Sequence, residues 1–100
     1  MNIGILVNTD KHLEDIIGIV NSAVTKGHRV TIFIMDAGTR LFGYPSFTGL
    51  CTLNGVSMSF CDHSAKGKGV KTEGLPVEIT CGSQYNHAVL IHESDKVIVL

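Results

Sequence analysis

The sequence predicts a single-domain α/β fold: an open, mostly parallel five-stranded sheet with helices on both faces. Three observations carry that prediction. Short apolar runs rich in β-branched residues alternate with segments of helical spacing along the chain. The first 36 residues read strand, helix, strand, a unit that makes a right-handed crossover between parallel strands. And 100 residues without an internal repeat, a low-complexity tract or a linker make one domain of ordinary size.

Taken in order, "NIGILV" (2–7) is an apolar run closed by the polar "NTD", the pattern of a buried strand. Leu13, Ile16, Ile17, Val20, Ala23 and Val24 then line one helical face, with Thr9 or Asp10 able to cap the start and Gly27 marking the stop. "HRVTIFIM" is a second strand, ending at Asp36. Gly38, Gly43, Pro45 and Gly49 break the next stretch into a loop, with a short helix expected from about Ser46 to Asn54, closed by Gly55. "VSMSFC" alternates Val56, Met58 and Phe60 with small polar residues and forms the third strand, with Cys61 at its C-terminal end. A short, weak helix over Asp62–Lys68 and a turn at "KTEGLP" lead to a fourth strand, "VEIT", with Cys81 just past it. Ser83 can cap a helix whose expected apolar face is Tyr85, Ala88, Val89 and His92, and "KVIVL" is the fifth strand.

Composition narrows the function. With 44% hydrophobic residues the chain has ample material for a core, so disorder is not expected. A formal charge of −1 provides no basic field for a phosphate backbone and no polybasic surface for anionic lipid, which argues against nucleic acid and membrane as partners. The N-terminal run lacks the basic region and small-residue cleavage site of a signal peptide, and no segment approaches the roughly 20 apolar residues of a membrane span. Cys51, Cys61 and Cys81 are odd in number and irregularly spaced, which favours reduced thiols and a cytoplasmic location over a disulfide framework.

In parallel sheets ligands and chemistry collect beyond the carboxyl ends of the strands. That rule selects residues 8–10, Asp36, Cys61 to His63 and Cys81 to Ser83. Cys61 reads either as a structural thiol or as a reactive one, because a strand end that meets a helix start exposes backbone N–H groups that favour thiolate. His63, Lys66 and Lys68 add positive charge nearby. Cys81 could resolve a sulfenate or share a persulfide with Cys61 if their strands are neighbours, or it could simply fill space. Cys51, between Leu50 and Leu53, reads as core. Cys61, His63, Cys81 and His87 can be written as a metal set, but the spacing lacks a CxxC pair, and no metal is expected. "KGKG" (66–69) matches neither phosphate-binding glycine motif, and Asn8 to Asp10 read better as a helix cap than as a ligand site. Leu41, Phe42, Tyr44 and Phe47 either cover a sheet face or form a patch for self-association.

"FCDHSAKGKGV", "AVTKGHRVTIFIMDAG" and "GSQYNHAVLIHESDKVIVL", in that fold order, resemble segments of the DsrE/TusD-like sulfur-relay family across nearly the whole chain. The first looks like that family's active-cysteine segment, with Ala65 as its small residue and Lys68 and Gly69 as its basic residue and glycine. The resemblance implies a DsrE-like domain of flavodoxin-like layering. It also implies a cysteine, Cys61, that accepts sulfane sulfur as a persulfide without a cofactor. Donor and acceptor proteins would be its partners, in a homo- or hetero-oligomer of trimeric or hexameric type. Asp62, His63, Lys66 and Gly67 depart from the family pattern by making the helix start more polar and more flexible. Cys61, with His63 and Lys68 beside it, is the candidate site. The alternatives from the residues are a non-catalytic subunit that associates through the Phe42 and Phe47 loop, and a small-ligand binder at the strand edge.

Overall fold

A computed structural model describes residues 1–100. The strands are β1 (Asn2–Val7), β2 (Arg29–Ile34), β3 (Val56–Cys61), β4 (Ile79–Gly82) and β5 (Lys96–Val99). Every pairing is parallel, in the order β4-β3-β2-β1-β5. The helices are α1 (Leu13–Thr25), α2 (Pro45–Thr48), α3 (Asp62–Gly67) and α4 (Gln84–Glu93), with 3-10 segments at Asp36–Gly43 and Gly49–Thr52. No helix is long and apolar enough to cross a membrane.

This strand order decides where the helices go. Each step from β1 through β4 moves the same way across the sheet, so right-handed crossovers put α1, α2 and α3 on one face. The return from β4 to β5, on the far side of β1, carries α4 over the other face. Side-chain alternation matches this division. Ile5, Val7, Ile32, Ile34, Met58 and Phe60 pack with Ile16, Val20 and Ala23 of α1 in the large core. Leu6, Phe33 and Cys61 turn to the opposite face and meet Leu90 of α4.

Several details differ from the sequence reading. His12, not Thr9 or Asp10, stands at the N-cap of α1, without a side-chain cap bond. Thr9 Oγ1 instead donates to the Leu100 carbonyl (2.8 Å), and Asp10 faces Arg40 at 3.9 Å. The expected loop after β2 is wound into 3-10 turns, and the short helix beyond it is an α-turn followed by a second 3-10 turn, because the glycines and Pro45 interrupt a regular helix. Leu41, Phe42 and Phe47 are buried there, Phe42 edge-on to Phe60 at 5.3 Å, so this segment covers the sheet and is not an association patch. Tyr44 alone of the four is exposed. β4 lies two residues later than expected, which places Cys81 inside the strand.

The largest difference is the orientation of α4. Tyr85, Ala88 and His92 of the expected apolar face are exposed and only Val89 of it is half-buried; the inward residue is Leu90, with Asn86 and His87 also half-buried beside it. Capping explains the rotation. The Ser83 N–H donates to Asn86 Oδ1 (3.0 Å) and the Tyr85 N–H to Ser83 Oγ (3.2 Å), and this reciprocal box holds Asn86 over the strand. A Cβ at Gly82 would collide with the Asn86 amide, so the bare glycine is what admits it.

Candidate functional site

Neighbouring strands β3 and β4 send their chains to opposite faces, and a crevice opens between their carboxyl ends. A cleft of about 660 Å³ lies there, lined by Asp36, Cys61 to Ser64 and Gly82 to Tyr85. Cys61 is the last residue of β3 and the N-cap of α3, with only 4% of its surface exposed. Gly82 is its register partner on β4, so no side chain from that strand stands between the sulfur and the cleft.

The neutral Cys61 thiol makes no capping hydrogen bond. The charged form is another matter. Burial pushes its pKa up, but the Ser64 hydroxyl and N–H, the Gln84 side chain and the His63 N–H all favour thiolate by hydrogen bonding. Together they outweigh burial and hold the thiol below its ordinary value. These are N-cap donors with sulfur in the place an oxygen usually takes.

The structure brings Cys61 and His63 into one cleft and leaves Lys68 outside it. Lys68 is the exposed C-cap residue of α3. Behind it Gly69, at φ 68°, lets the Gly69 and Val70 N–H groups bond back to the carbonyls of Lys66 (3.1 Å) and Ala65 (2.9 Å). The glycines of "KGKG" therefore include a helix stop. Lys66 is turned to Asp62 at 2.9 Å, and that ammonium holds the Asp62 carboxyl below the usual carboxylate range. The field at the sulfur thus comes from Ser64, Gln84 and backbone N–H groups, not from the lysines expected to supply it.

Cys81 is beside Cys61 in the sheet but not facing it. The ladder pairs Cys81 with Phe60, whose side chain enters the large core, while Cys61 points to the α4 face. The strands are neighbours, as a helping role for Cys81 would require, but they carry the two sulfurs on opposite sides of the sheet. Burial and the charge of Asp62 push the Cys81 thiol up. Cys51 is buried in the core, where burial and Glu78 also raise its pKa. No three His, Cys, Asp or Glu side chains cluster in metal-binding fashion.

At the lip of the cleft Asp36 adopts φ 49°, a left-handed conformation that Asp tolerates better than most residues. Its carbonyl accepts a 2.8 Å hydrogen bond from the hydroxyl of fully buried Thr39. Ser64, Gln84 and Tyr85 are cleft residues that the sequence reading did not mark. Ser64 had a signal: it stands three residues after an N-cap, where the N3 position faces the cap. Gln84 had none until α4 was placed over β3.

The same overall fold occurs in solved structures. The ychN protein from E. coli superposes with a TM-score of 0.77 at 15% identity, covering 100% of both chains. MTH1491 from Methanobacterium thermoautotrophicum, a protein of unknown function, gives 0.76 at 14% identity over 99% of this chain and 98% of that one. The chain has the DsrE-like fold. No family model and no curated protein matches its sequence, so the likeness lies in backbone architecture.

Proposed function

We propose that the chain is a sulfur-relay protein that accepts sulfane sulfur on Cys61 as a persulfide and yields it to a partner protein. The observation that carries this reading is a cysteine at a cleft floor whose surroundings favour thiolate. The family resemblance of the Cys61 segment supplies sulfur as the cargo. In the loading step the Cys61 thiolate attacks the outer sulfur of a donor persulfide, R–S–SH. The new S–S bond forms as the donor's S–S bond breaks, and the donor thiolate leaves with the bonding pair, so no net oxidation occurs. Transfer is the same displacement by an acceptor thiolate on the outer sulfur of Cys61–S–SH. Neither step needs a cofactor.

His63 lines the cleft beside Cys61 and, in this reading, meets the incoming group. Lys68 lies outside the cleft and serves, in this reading, only the approach of a partner protein. A reducing cytoplasm suits the three free thiols. Tyr85 at the cleft mouth and Ile91 farther along α4, both exposed, would be covered in a homo-oligomer of trimeric or hexameric type, which sedimentation would detect.

Intact-mass measurement after incubation with a persulfide donor tests the reading. The wild-type protein and Cys81→Ala should each gain one reducible sulfur at Cys61, and Cys61→Ala should not. An equal gain in Cys61→Ala would assign the sulfur to the exposed Cys81. No gain in any of them would favour a non-catalytic subunit, a reading that the near-complete burial of Cys61 independently recommends.

A further inference from the structure

Outside the residues already given roles, His87 stands out. It lies on the inner side of α4, its ring stacked on buried Phe33 with centroids 5.8 Å apart and planes 18° from parallel. Phe33 and Cys61 belong to the same small apolar cluster under α4. The stacked ring sets its Nδ1 2.9 Å from Gln84 Oε1, one turn back on the same helix. Gln84 lines the same cleft as Cys61, and its side chain is among the groups that favour the Cys61 thiolate. Phe33, His87, Gln84 and Cys61 therefore form a connected path from the packed sheet face to the thiol.

A glutamine amide has two ends of opposite sense: its oxygen only accepts and its nitrogen only donates. Oxygen turned toward sulfur would repel a thiolate, and nitrogen would stabilise it. Either end is free to point inward unless something chooses between them. A ring N–H at His87 Nδ1 makes that choice, because it can donate only to the oxygen.

We propose that His87 is a positioning residue for Cys61: its Nδ1–H donates to Gln84 Oε1 and so turns the Gln84 amide N–H toward the Cys61 sulfur. Phe33 fixes the plane of the ring, as an outer partner fixes the tautomer of a working imidazole elsewhere. His87 does not touch the reacting atoms. The inference deepens the sulfur-relay reading and rests on it for biological purpose, but it is measured on the thiol itself. Its failure is therefore distinguishable from failure of sulfur loading.

The experiment is the pH profile of Cys61 alkylation by iodoacetamide, read by peptide mass in a Cys81→Ser background. The other titratable groups around the cleft are Asp36, Asp62, His63 and Tyr85, with Lys66 paired to Asp62, and all stay unchanged across the series. His87→Phe keeps the stack on Phe33 and removes the donor. It should move the profile to higher pH and slow alkylation at neutral pH about fivefold, below the full loss of one donor to a charged acceptor because the exposed Gln84 amide can still turn its N–H inward part of the time. His87→Asn, whose amide N–H can stand where Nδ1–H does, should restore most of the rate. Gln84→Ala, at an exposed position that the fold does not need, should reproduce the His87→Phe profile. Adding His87→Phe to Gln84→Ala should then change nothing further. An unshifted profile in His87→Phe, or a further shift in the double variant, would overturn the proposal.

Discussion

Cys61 and Cys81 occupy the ends of neighbouring strands, yet the ladder sets them one position apart, Cys61 opposite Gly82 and Cys81 opposite Phe60. Cys61 turns to the α4 face, almost fully buried, among donors that favour its charged form. Cys81 turns to the α3 side, exposed, beside the Asp62 carboxylate that disfavours it. The more accessible thiol is the one whose surroundings disfavour thiolate, and the thiol whose surroundings favour it is almost fully buried. Accessibility and thiolate character are thus set by different features of the fold, and a cysteine's exposure alone does not report which form its surroundings favour.

The two sheet faces differ in the same way. The α1 face carries the large core, with Phe47 wholly buried, whereas the α4 face rests on Leu6, Phe33, Cys61 and Leu90. Phe47→Ala should lower unfolding stability by about 3 to 5 kcal/mol in urea titration and leave Cys61 alkylation in the folded protein unchanged. Leu90→Ala should cost about 2 to 5 kcal/mol, toward the lower end because the thin layer can close over the space. It should also speed alkylation of Cys61, since α4 loses its one fully buried side chain. Equal thiol reactivity in the two variants would show that the faces are not separable.

A smaller effect sharpens the contrast between the sulfurs. A lowered thiol pKa means more thiolate at any given pH, so as pH falls Cys81 should lose reactivity first and Cys61 last. Iodoacetamide profiles for both peptides in one sample measure this, the midpoints carrying the comparison and the plateau rates reporting access. Ser64→Ala removes the hydroxyl that favours the Cys61 thiolate, and its midpoint should move up toward that of Cys81.

The smallest expected change separates side-chain cations from helix-end donors. Lys66→Ala breaks the 2.9 Å pair with Asp62 and should leave the Cys61 profile in place, while shifting Cys81 slightly upward as it loses a nearby positive charge. A shift in Cys61 instead would return the lysines to the role that the sequence alone assigned them.

Much of this architecture is legible in one sequence. The apolar β-branched runs place β1, β2, β3 and β5, and Ser83 announces α4, because strand burial and capping are local properties of a few adjacent residues. Cys61 and Asp36 are marked as edge residues by the same local logic, since a strand's end is visible where its apolar run stops. β4 was displaced by two residues because "VEIT" and "ITCG" are equally brief and only pairing with Met58 to Cys61 selects the latter.

What the tertiary structure alone decided is direction. Strand period fixes that alternate residues part company, but which face receives Cys61 and which Cys81 depends on register between two strands distant in sequence. The face of α4 that turns inward likewise followed from Asn86 over Gly82 and His87 on Phe33, contacts that no helical periodicity encodes. Local sequence determines where elements begin and end because those energies are paid residue by residue. The surroundings of the sulfur are non-local, and they exist only once β3, β4 and α4 have met.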